Sequence, residues 1–274
     1  MSILAKKLMF VMSQRRREVV PSLGSPMAIA AGDTPGALDE SLWQYDETTD
    51  TGYYGLVSSV EFIDGFDLAS QLSFTSGNNL DGAAGWLKFY IGPEADCNEN
   101  GIPKCIFVYK AHLRSGVTYN TLEASGIRDG STKTNISGNV YKVRLLTGAF
   151  GFSGYTSIPG SNANDNSACE KDAGEGSEYN DLMYRVSSII PMCPTTGTQY
   201  SGYHGGPQDS YNFADFDTST LVIGTRLNRM EITSTTNSAN THYIWRGYHG
   251  IADFSGNSDK NRSMYWRPVL EYVP

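Results

Sequence analysis

The stretch THYIWRGYHGIADFSGNSDKNRSMYWRPVLEYVP, residues 241–274, consists of two apolar, aromatic runs separated by a polar segment that contains several glycines. Side chains alternate along both runs, and alternation is typical of strands, whose neighbouring side chains point to opposite faces. The stretch therefore predicts an entering strand over residues 241–246, a long loop, and a closing strand over residues 266–273. Pro268 favours the start or the edge of that strand, because proline has no N–H. A terminus held in a strand predicts that its removal unfolds the domain.

Composition outside this stretch also favours strands. The chain has 274 residues, of which 39% are hydrophobic and only 18% are charged, while Gly (29) and Tyr (17) are abundant. Such a composition suits strands and ordered loops rather than a helical bundle. The formal net charge of −8 argues against a general nucleic-acid binder, because phosphate contacts need a basic surface. The sequence contains no run of about 18 apolar residues, so we expect no membrane insertion.

The first 37 residues differ in composition from the rest of the chain. Residues 1–17 carry five basic side chains around the short apolar stretch 8–12, which is too short for a signal peptide. Residues 19–37 are rich in Pro and Gly, as linkers are. We predict an N-terminal arm and linker over residues 1–37, and the arm either docks on a neighbouring protein or is a disordered tail. A single domain follows over residues 38–274.

Periodicity within this domain predicts several strands and two short helices. Strands are expected over residues 53–63, 85–91 and 105–110, the last two as a hairpin, and a further alternating pair over residues 133–146 turns at residues 137–139. One helical turn is expected over residues 67–72 with Asp67 as its cap. Helices are expected over residues 117–126, capped by Thr118 and ended by Gly126, and over residues 177–186, capped by Ser177. The domain is therefore predicted to be a β-rich α+β fold.

Catalytic and metal-binding motifs are missing from the sequence. The four histidines lack metal-ligand spacing with cysteines or acids. Residues 96–101 resemble half of a calcium loop, but Phe107 stands where the bidentate acid belongs. Glu178 and other acids at a predicted helix start are explained by the helix dipole. We predict no catalytic residues, no metal and no cofactor. Cys97 and Cys105 flank a predicted turn and form either a disulfide across the hairpin or two buried free thiols.

Aromatic and amide side chains on the predicted loops are the candidates for binding. Flat rings offer contact area at little cost in entropy, so loops rich in them suit recognition of a partner or a sugar. The alternative is that these side chains only pack the long loops onto the body. The predicted ligand-binding residues are Tyr203, His204, Tyr211, Tyr248, His249, Phe254, Asn257, Asp259 and Asn261.

Four motifs resemble a group of structural proteins, of the tail-fibre type, from the virions of tailed bacteriophages. The motifs are GWLKF (residues 85–89), GSEYNDLMYR (176–185), RGYHG (246–250) and YWRPVLE (265–271). Their order and spacing resemble that group over residues 53–274. The resemblance implies a virion protein whose arm attaches it to other virion proteins, most often as a homo-oligomer.

A more distant resemblance concerns the fold. The segment YKAHLRSGVTY (residues 109–119), together with residues 178–182, 246–247 and 266–270, is similar in order to the C-type-lectin-like fold of the formylglycine-generating-enzyme type. This implies that residues 248–261, before the last strand, form the ligand face and that Arg246 and Arg267 bond loop carbonyls. The enzyme's C-terminal cysteine pair is missing, since the last cysteine is Cys193.

These resemblances lead to one functional expectation. The chain is expected to be a non-enzymatic bacteriophage virion protein with a single C-type-lectin-like domain and an extended arm. Its aromatic loops would bind a host surface glycan or protein, or neighbouring subunits. The alternatives are a purely architectural decoration, collar or baseplate protein, and a glycan-acting enzyme.

Overall fold

The computed structural model describes residues 44–46, 50–95, 97–98, 101–148, 177–183, 231–236, 242–246 and 254–274. All of them belong to the unit Thr34–Pro274. The predicted arm over residues 1–37 lies outside the described residues, as do most of the predicted loops between residues 149 and 230. None of the described helices is long and apolar enough to cross a membrane.

The described residues form thirteen strands, numbered here in chain order. They are β1 (Gln44–Asp46), β2 (Thr51–Val57), β3 (Asn78–Asn79), β4 (Trp86–Ile91), β5 (Lys104–Tyr109), β6 (Arg114–Thr118), β7 (Asp129–Ile136), β8 (Asn139–Arg144), β9 (Glu231–Thr236), β10 (His242–Arg246), β11 (Phe254–Asp259), β12 (Ser263–Trp266) and β13 (Val269–Val273). The first sheet has the order β1-β2-β4-β5-β13-β8-β7, and the second has the order β11-β10-β9-β12-β6-β3. Pairing is antiparallel except between β9 and β12. The prediction of a β-rich α+β fold is confirmed.

The C-terminal residues join the two sheets. β12 lies between β9 and β6 in the second sheet, whereas β13 lies between β5 and β8 in the first. The prediction of one closing strand over residues 266–273 is wrong in detail, because Arg267 and Pro268 form a step between two strands. Proline cannot donate to a ladder, which suits it to this step. The pairing is extensive: Leu270 stands opposite both Phe107 and Val143.

The hydrophobic core has two parts, one on each face of the first sheet. One cluster fills the space between the two sheets and includes Trp86, Phe107, Tyr141 and Trp266. The other covers the opposite face and includes Phe89, Ile106, Leu182 and Val269. Burial of both faces explains why β4 and β5 carry apolar side chains on both faces, with Lys88 and Lys104 as their only charged residues. Each large side chain buried here stabilises the fold by roughly 1.5–3 kcal/mol.

Two short helices and one π-helical turn pack on these clusters. Helix α1 spans Gly65–Gln71 and is capped by Asp64, whose Oδ1 accepts a hydrogen bond from the Phe66 amide at 2.8 Å. The prediction of Asp67 as the cap is therefore wrong. Helix α2 spans Tyr119–Ala124, and its predicted cap Thr118 is confirmed. Of the predicted helix over residues 177–186, the structure describes residues 177–183, in which Tyr179–Met183 form a π-helical turn.

The two predicted hairpins are present with the expected pairing. β4 pairs with β5 from Trp86↔Tyr109 to Ile91↔Lys104. Cys97 and Cys105 are buried and form no disulfide, and they belong to the clusters on opposite faces of the first sheet, so the disulfide alternative is wrong. The β7–β8 turn contains Ser137 (φ 52°) and Gly138 (φ 89°), as tight hairpin turns require. The strand predicted over residues 53–63 ends earlier, at Val57, and the chain turns after it.

Candidate functional site

Four of the predicted ligand-binding residues fall among the described residues. Phe254 and Asn257 lie in β11, which pairs with β10, so placing them on a loop was wrong. Asp259 ends β11, and Asn261 follows it in the turn to β12; both are exposed. The remaining predicted residues, Tyr203, His204, Tyr211, Tyr248 and His249, lie outside the described residues.

The β11–β12 turn, residues 259–262, is the described part of the predicted ligand face. The Asp259 carboxylate accepts a hydrogen bond from the Asn261 amide at 2.8 Å. The Asp259 carbonyl accepts one from the Arg262 amide at 2.8 Å. A short carboxylate that bonds the backbone two residues on is the usual way in which aspartate stabilises a turn. The turn therefore presents its exposed side chains in a defined backbone geometry.

Helix α2 holds this turn from the side. The Asn120 side chain donates to Asn261 Oδ1 at 2.7 Å, and the Asn120 backbone amide donates to the Lys260 carbonyl at 3.2 Å. The sequence analysis did not find Asn120, because it lies 141 residues before Asn261 in the chain. The only local signal was its position in the first turn of a predicted helix.

Lys260 connects the turn to Glu123 and Tyr119 of helix α2. Its Nζ lies 3.1 Å from Glu123 Oε2 and 4.7 Å from the centroid of the Tyr119 ring. Burial disfavours the charged form of Glu123, but the hydrogen bonds from Lys260 and Arg128 outweigh this effect and hold the pKa of Glu123 below its usual value. Tyr119 in turn stacks on Tyr243 of β10, with 5.0 Å between the ring centroids. The exposed turn is thus coupled to the hydrophobic core.

Arg267 fixes the step between β12 and β13, just after this turn. Its Nη1 atom donates to the carbonyls of Tyr109 at 2.8 Å and Lys110 at 2.5 Å. Its Nη2 atom lies 3.5 Å from the ring of the buried His112. The expectation that Arg267 bonds loop carbonyls is supported by these contacts at the end of β5. The side chain of Arg246 lies outside the described residues.

A buried charge network connects the first sheet to residues 177–183. Arg144 donates to both carboxylate oxygens of Glu178 at 2.6 and 2.7 Å and to Glu271 Oε2 at 2.7 Å. Lys142 donates to the other oxygen of Glu271 at 3.1 Å. Explaining Glu178 by the helix dipole was therefore incomplete, because its carboxylate is buried and forms a two-point contact with an arginine. The signal available in the sequence was the charged residue Arg144 in an otherwise apolar run.

The network shifts the pKa values of Arg144 and Glu271. Burial alone would lower the pKa of Arg144, but the carboxylates of Glu178 and Glu271 outweigh burial and raise it. Burial alone would raise the pKa of Glu271, but the charge of Arg144 and the hydrogen bond from Lys142 lower it. Both groups are therefore charged in the folded protein at neutral pH. The hydrogen bonds described for this network join β8, β13 and residues 177–183 and stabilise the scaffold rather than the β11–β12 turn.

Lys88 in β4 is another buried cation, and nothing in the sequence pattern pointed to it. It is 1% exposed, and its Nζ lies 5.1 Å from the centroid of the Tyr54 ring and 5.5 Å from that of Phe107. Burial lowers the pKa of Lys88. The aromatic rings stabilise the ammonium group by a cation–π contact.

Within the described part of the chain, no three His, Cys, Asp or Glu residues are placed to hold a metal ion. The side chain of Asn98, from the rejected calcium loop, donates instead to the carbonyls of Gly92 at 2.7 Å and Ile102 at 2.8 Å. Comparison of the sequence and the fold with protein-family profiles, curated proteins and solved structures finds no match. The chemical character of the site is that of a rigid polar turn which offers a carboxylate, an amide and a guanidinium group from Asp259, Asn261 and Arg262.

Proposed function

We propose that this chain is a non-enzymatic structural protein of a bacteriophage virion, and that it binds a host surface glycan through the β11–β12 turn. The observation that carries the proposal is the way in which the exposed turn is supported. β12 and β13, which follow the turn, lie inside the second and the first sheet. Lys260 ties the turn to Glu123 and to the buried Tyr119 ring, and Arg267 fixes the chain between β12 and β13. A binding surface gains affinity from such preorganisation, because little conformational entropy is lost on binding.

The fold that we propose is C-type-lectin-like. Support comes from a β-rich body with two short helices, whose last two strands lie inside the two sheets directly after the candidate ligand face. Residues that carry this resemblance are scaffold residues: Tyr109, Trp266 and Arg267 are fully buried. Fold likeness alone does not define an activity, so the function rests on the site.

The proposal includes attachment to other virion proteins through residues 1–37 and self-association of the chain. Localisation in the virion follows from the resemblance to bacteriophage tail-fibre-type proteins, and the absence of a cofactor is proposed because the sequence lacks cofactor-binding motifs. Particles from which the gene is deleted should lack the protein and lose host adsorption. Light scattering of the purified chain should give a mass of two or more times 30.0 kDa, and the mass of a single chain would contradict self-association.

Glycan-array binding by the purified full chain tests the proposed function. We expect binding to a restricted set of bacterial surface glycans, and we expect loss of that binding in the variant Asp259→Ala/Asn261→Ala. The matched control is Asp129→Ala, because Asp129, exposed at the start of β7, also accepts a hydrogen bond from the amide two residues on, at 3.0 Å. Both variants should keep the circular-dichroism spectrum of the parent.

Other outcomes separate the alternatives. A chain that binds no glycan and no host cell, but is found between subunits of the particle, has an architectural role. Release of sugars from host polysaccharide by the purified protein would mean that it is an enzyme. Equal loss of binding in Asp129→Ala and in the double variant would place the binding surface elsewhere.

A further inference from the structure

A groove beside α1 has a volume of about 640 Å³. It lies between the turn at residues 58–61, which follows β2, and the outer side of α1. The lining includes Val60, Phe62, Ile63, Asp64, Asp67 and Gln71. Its volume is within the range of sites that bind small ligands or single side chains of a partner, roughly 300–1,000 Å³. None of these residues belongs to the β11–β12 turn.

The floor of the groove is apolar and firmly packed. Phe62 lies 4.3 Å from Phe107 and 5.6 Å from Trp86, measured between ring centroids. The carbonyl of Ile63 accepts a hydrogen bond from Trp86 Nε1 at 2.7 Å. These contacts connect the floor to the main core, so the groove has a rigid base.

Val60 stands at the rim with 95% of its surface exposed. Hydrogen bonds between Ser58 and Glu61 close the turn that carries it: the Glu61 amide donates to the Ser58 carbonyl at 3.2 Å, and Ser58 Oγ and the Ser58 amide donate to Glu61 Oε2 at 2.8 and 3.2 Å. The exposure of an aliphatic side chain to water is unfavourable, and the hydrogen-bonded turn keeps Val60 exposed. Contact with a partner removes that cost.

The charge around the groove is of one sign. Asp64 and Asp67 line it, Glu61 flanks it, and no basic side chain is among its lining residues. In the sequence, residues 18–87 contain eleven Asp and Glu residues and no Lys or Arg. A concave acidic surface attracts cations and raises their local concentration.

We propose that this groove docks a cationic peptide segment of a partner protein, in which Lys or Arg side chains stand beside apolar ones. The cationic head groups reach the carboxylates of Asp64 and Asp67, and the aliphatic stems cover Val60 and Phe62. Long basic side chains combine these two properties, since their stems are apolar and their tips are charged. This surface is distinct from the proposed glycan face, so one chain can contact a protein partner and a host ligand at the same time.

Fluorescence anisotropy with a labelled peptide tests the proposal. The probe is AKKLMFVMSQRRR, which has the required composition and is the sequence of residues 5–17. In the control peptide, all five basic residues are replaced by glutamine. The full chain should bind the basic peptide, with affinity that falls as salt is raised, and should not bind the glutamine peptide.

Variants locate the binding. Val60→Ser/Asp67→Asn removes one apolar and one charged contact, and we expect about tenfold weaker binding. The matched control Ile102→Ser/Glu94→Gln removes an aliphatic side chain that is 64% exposed and an exposed acid, both outside the groove, and should bind like the parent. Thermal unfolding checks that both variants fold. Equal weakening in both variants, or binding of the glutamine peptide, overturns the proposal.

A photo-cross-linker at position 60 gives a direct readout in the same mixture. Mass spectrometry should map the cross-link to the basic peptide rather than to residues 5–17 of the chain itself. The second result would mean that this chain's own N-terminal segment, from the same or another copy, fills the groove, and it would overturn docking of a partner protein there. No cross-link to any Lys- or Arg-bearing segment, together with no change in anisotropy, refutes docking at this groove.

Discussion

Replacing Glu178 by glutamine tests whether the buried contact of Arg144 holds residues 177–183 on the first sheet. The side chains of Arg144 and Glu178 are 9% and 2% exposed. Removing one partner of a buried ion pair costs about 3–5 kcal/mol, because the other charge stays buried without its counter-charge. Arg144 keeps Glu271 at 2.7 Å, and glutamine still accepts one hydrogen bond. We therefore expect the lower end of that range, about 3 kcal/mol of unfolding free energy.

Urea unfolding followed by tryptophan fluorescence measures this cost. Trp86 and Trp266 are fully buried in the native state, so their emission reports the loss of the core. The variants Arg144→Met and Arg144→Met/Glu178→Met complete a double-mutant cycle. We expect a coupling energy of about 2 kcal/mol, because the stability effects of substituting two residues in direct contact are not additive.

Arg128→Gln serves as the control, because the Arg128–Glu123 pair is 33% exposed on both sides. Exposed pairs contribute about 1 kcal/mol or less. The reasoning is refuted if Glu178→Gln costs no more than this control, or if the cycle is additive within about 0.5 kcal/mol.

Three further predictions follow from particular residues. The folded-state pKa of Glu271 is lowered, so its stabilising effect is fully present above its unfolded pKa of about 4.3 and is lost as the pH falls through the lower folded value. The urea midpoint should therefore drop below about pH 4 in the parent and drop less in Glu271→Gln; parallel curves for the two proteins would contradict this. Gly138 has φ 89° with no atom within 4 Å of an added Cβ, so Gly138→Ala should cost about 1 kcal/mol through the backbone alone. Gly138→Asn should cost less in the same urea assay, and an equal cost would refute the backbone explanation. Ending the chain after Arg267 removes β13, which pairs with β5 and β8, and circular dichroism should show an unfolded protein. A native spectrum would contradict the prediction that the domain cannot fold without β13.

Short-range features of the fold could be predicted well. The β4–β5 hairpin and the Ser137–Gly138 turn depend on alternation and on residues that tolerate positive φ, and Thr118 caps α2 through a bond to the Thr121 amide at 3.2 Å. The predicted cap of α1 was wrong by three residues, because Asp64 and Asp67 are both acceptable caps by residue type. Only the start of the helix at Gly65 decides between them.

The candidate site was predicted in part. Exposure of Asp259 and Asn261 followed from their polar surroundings. Phe254 and Asn257 were placed on a loop because their segment contains glycine and serine, whereas pairing with β10 makes it a strand. Pairing energy comes from the neighbouring strand, so a weak strand sequence is overridden by its context.

By itself, the sequence determined the β-rich class, the Thr118 cap, the Ser137–Gly138 turn, and the fact that its last residues are held in strands. These features depend on interactions within a few residues along the chain. Only the tertiary structure decided that β12 and β13 belong to different sheets, that Arg144 meets Glu271 across 127 positions, and that Asn120 supports Asn261. Ion pairs, sheet membership and grooves arise where distant segments pack together. Local periodicity does not indicate these contacts, because it depends only on residues that are close in the sequence.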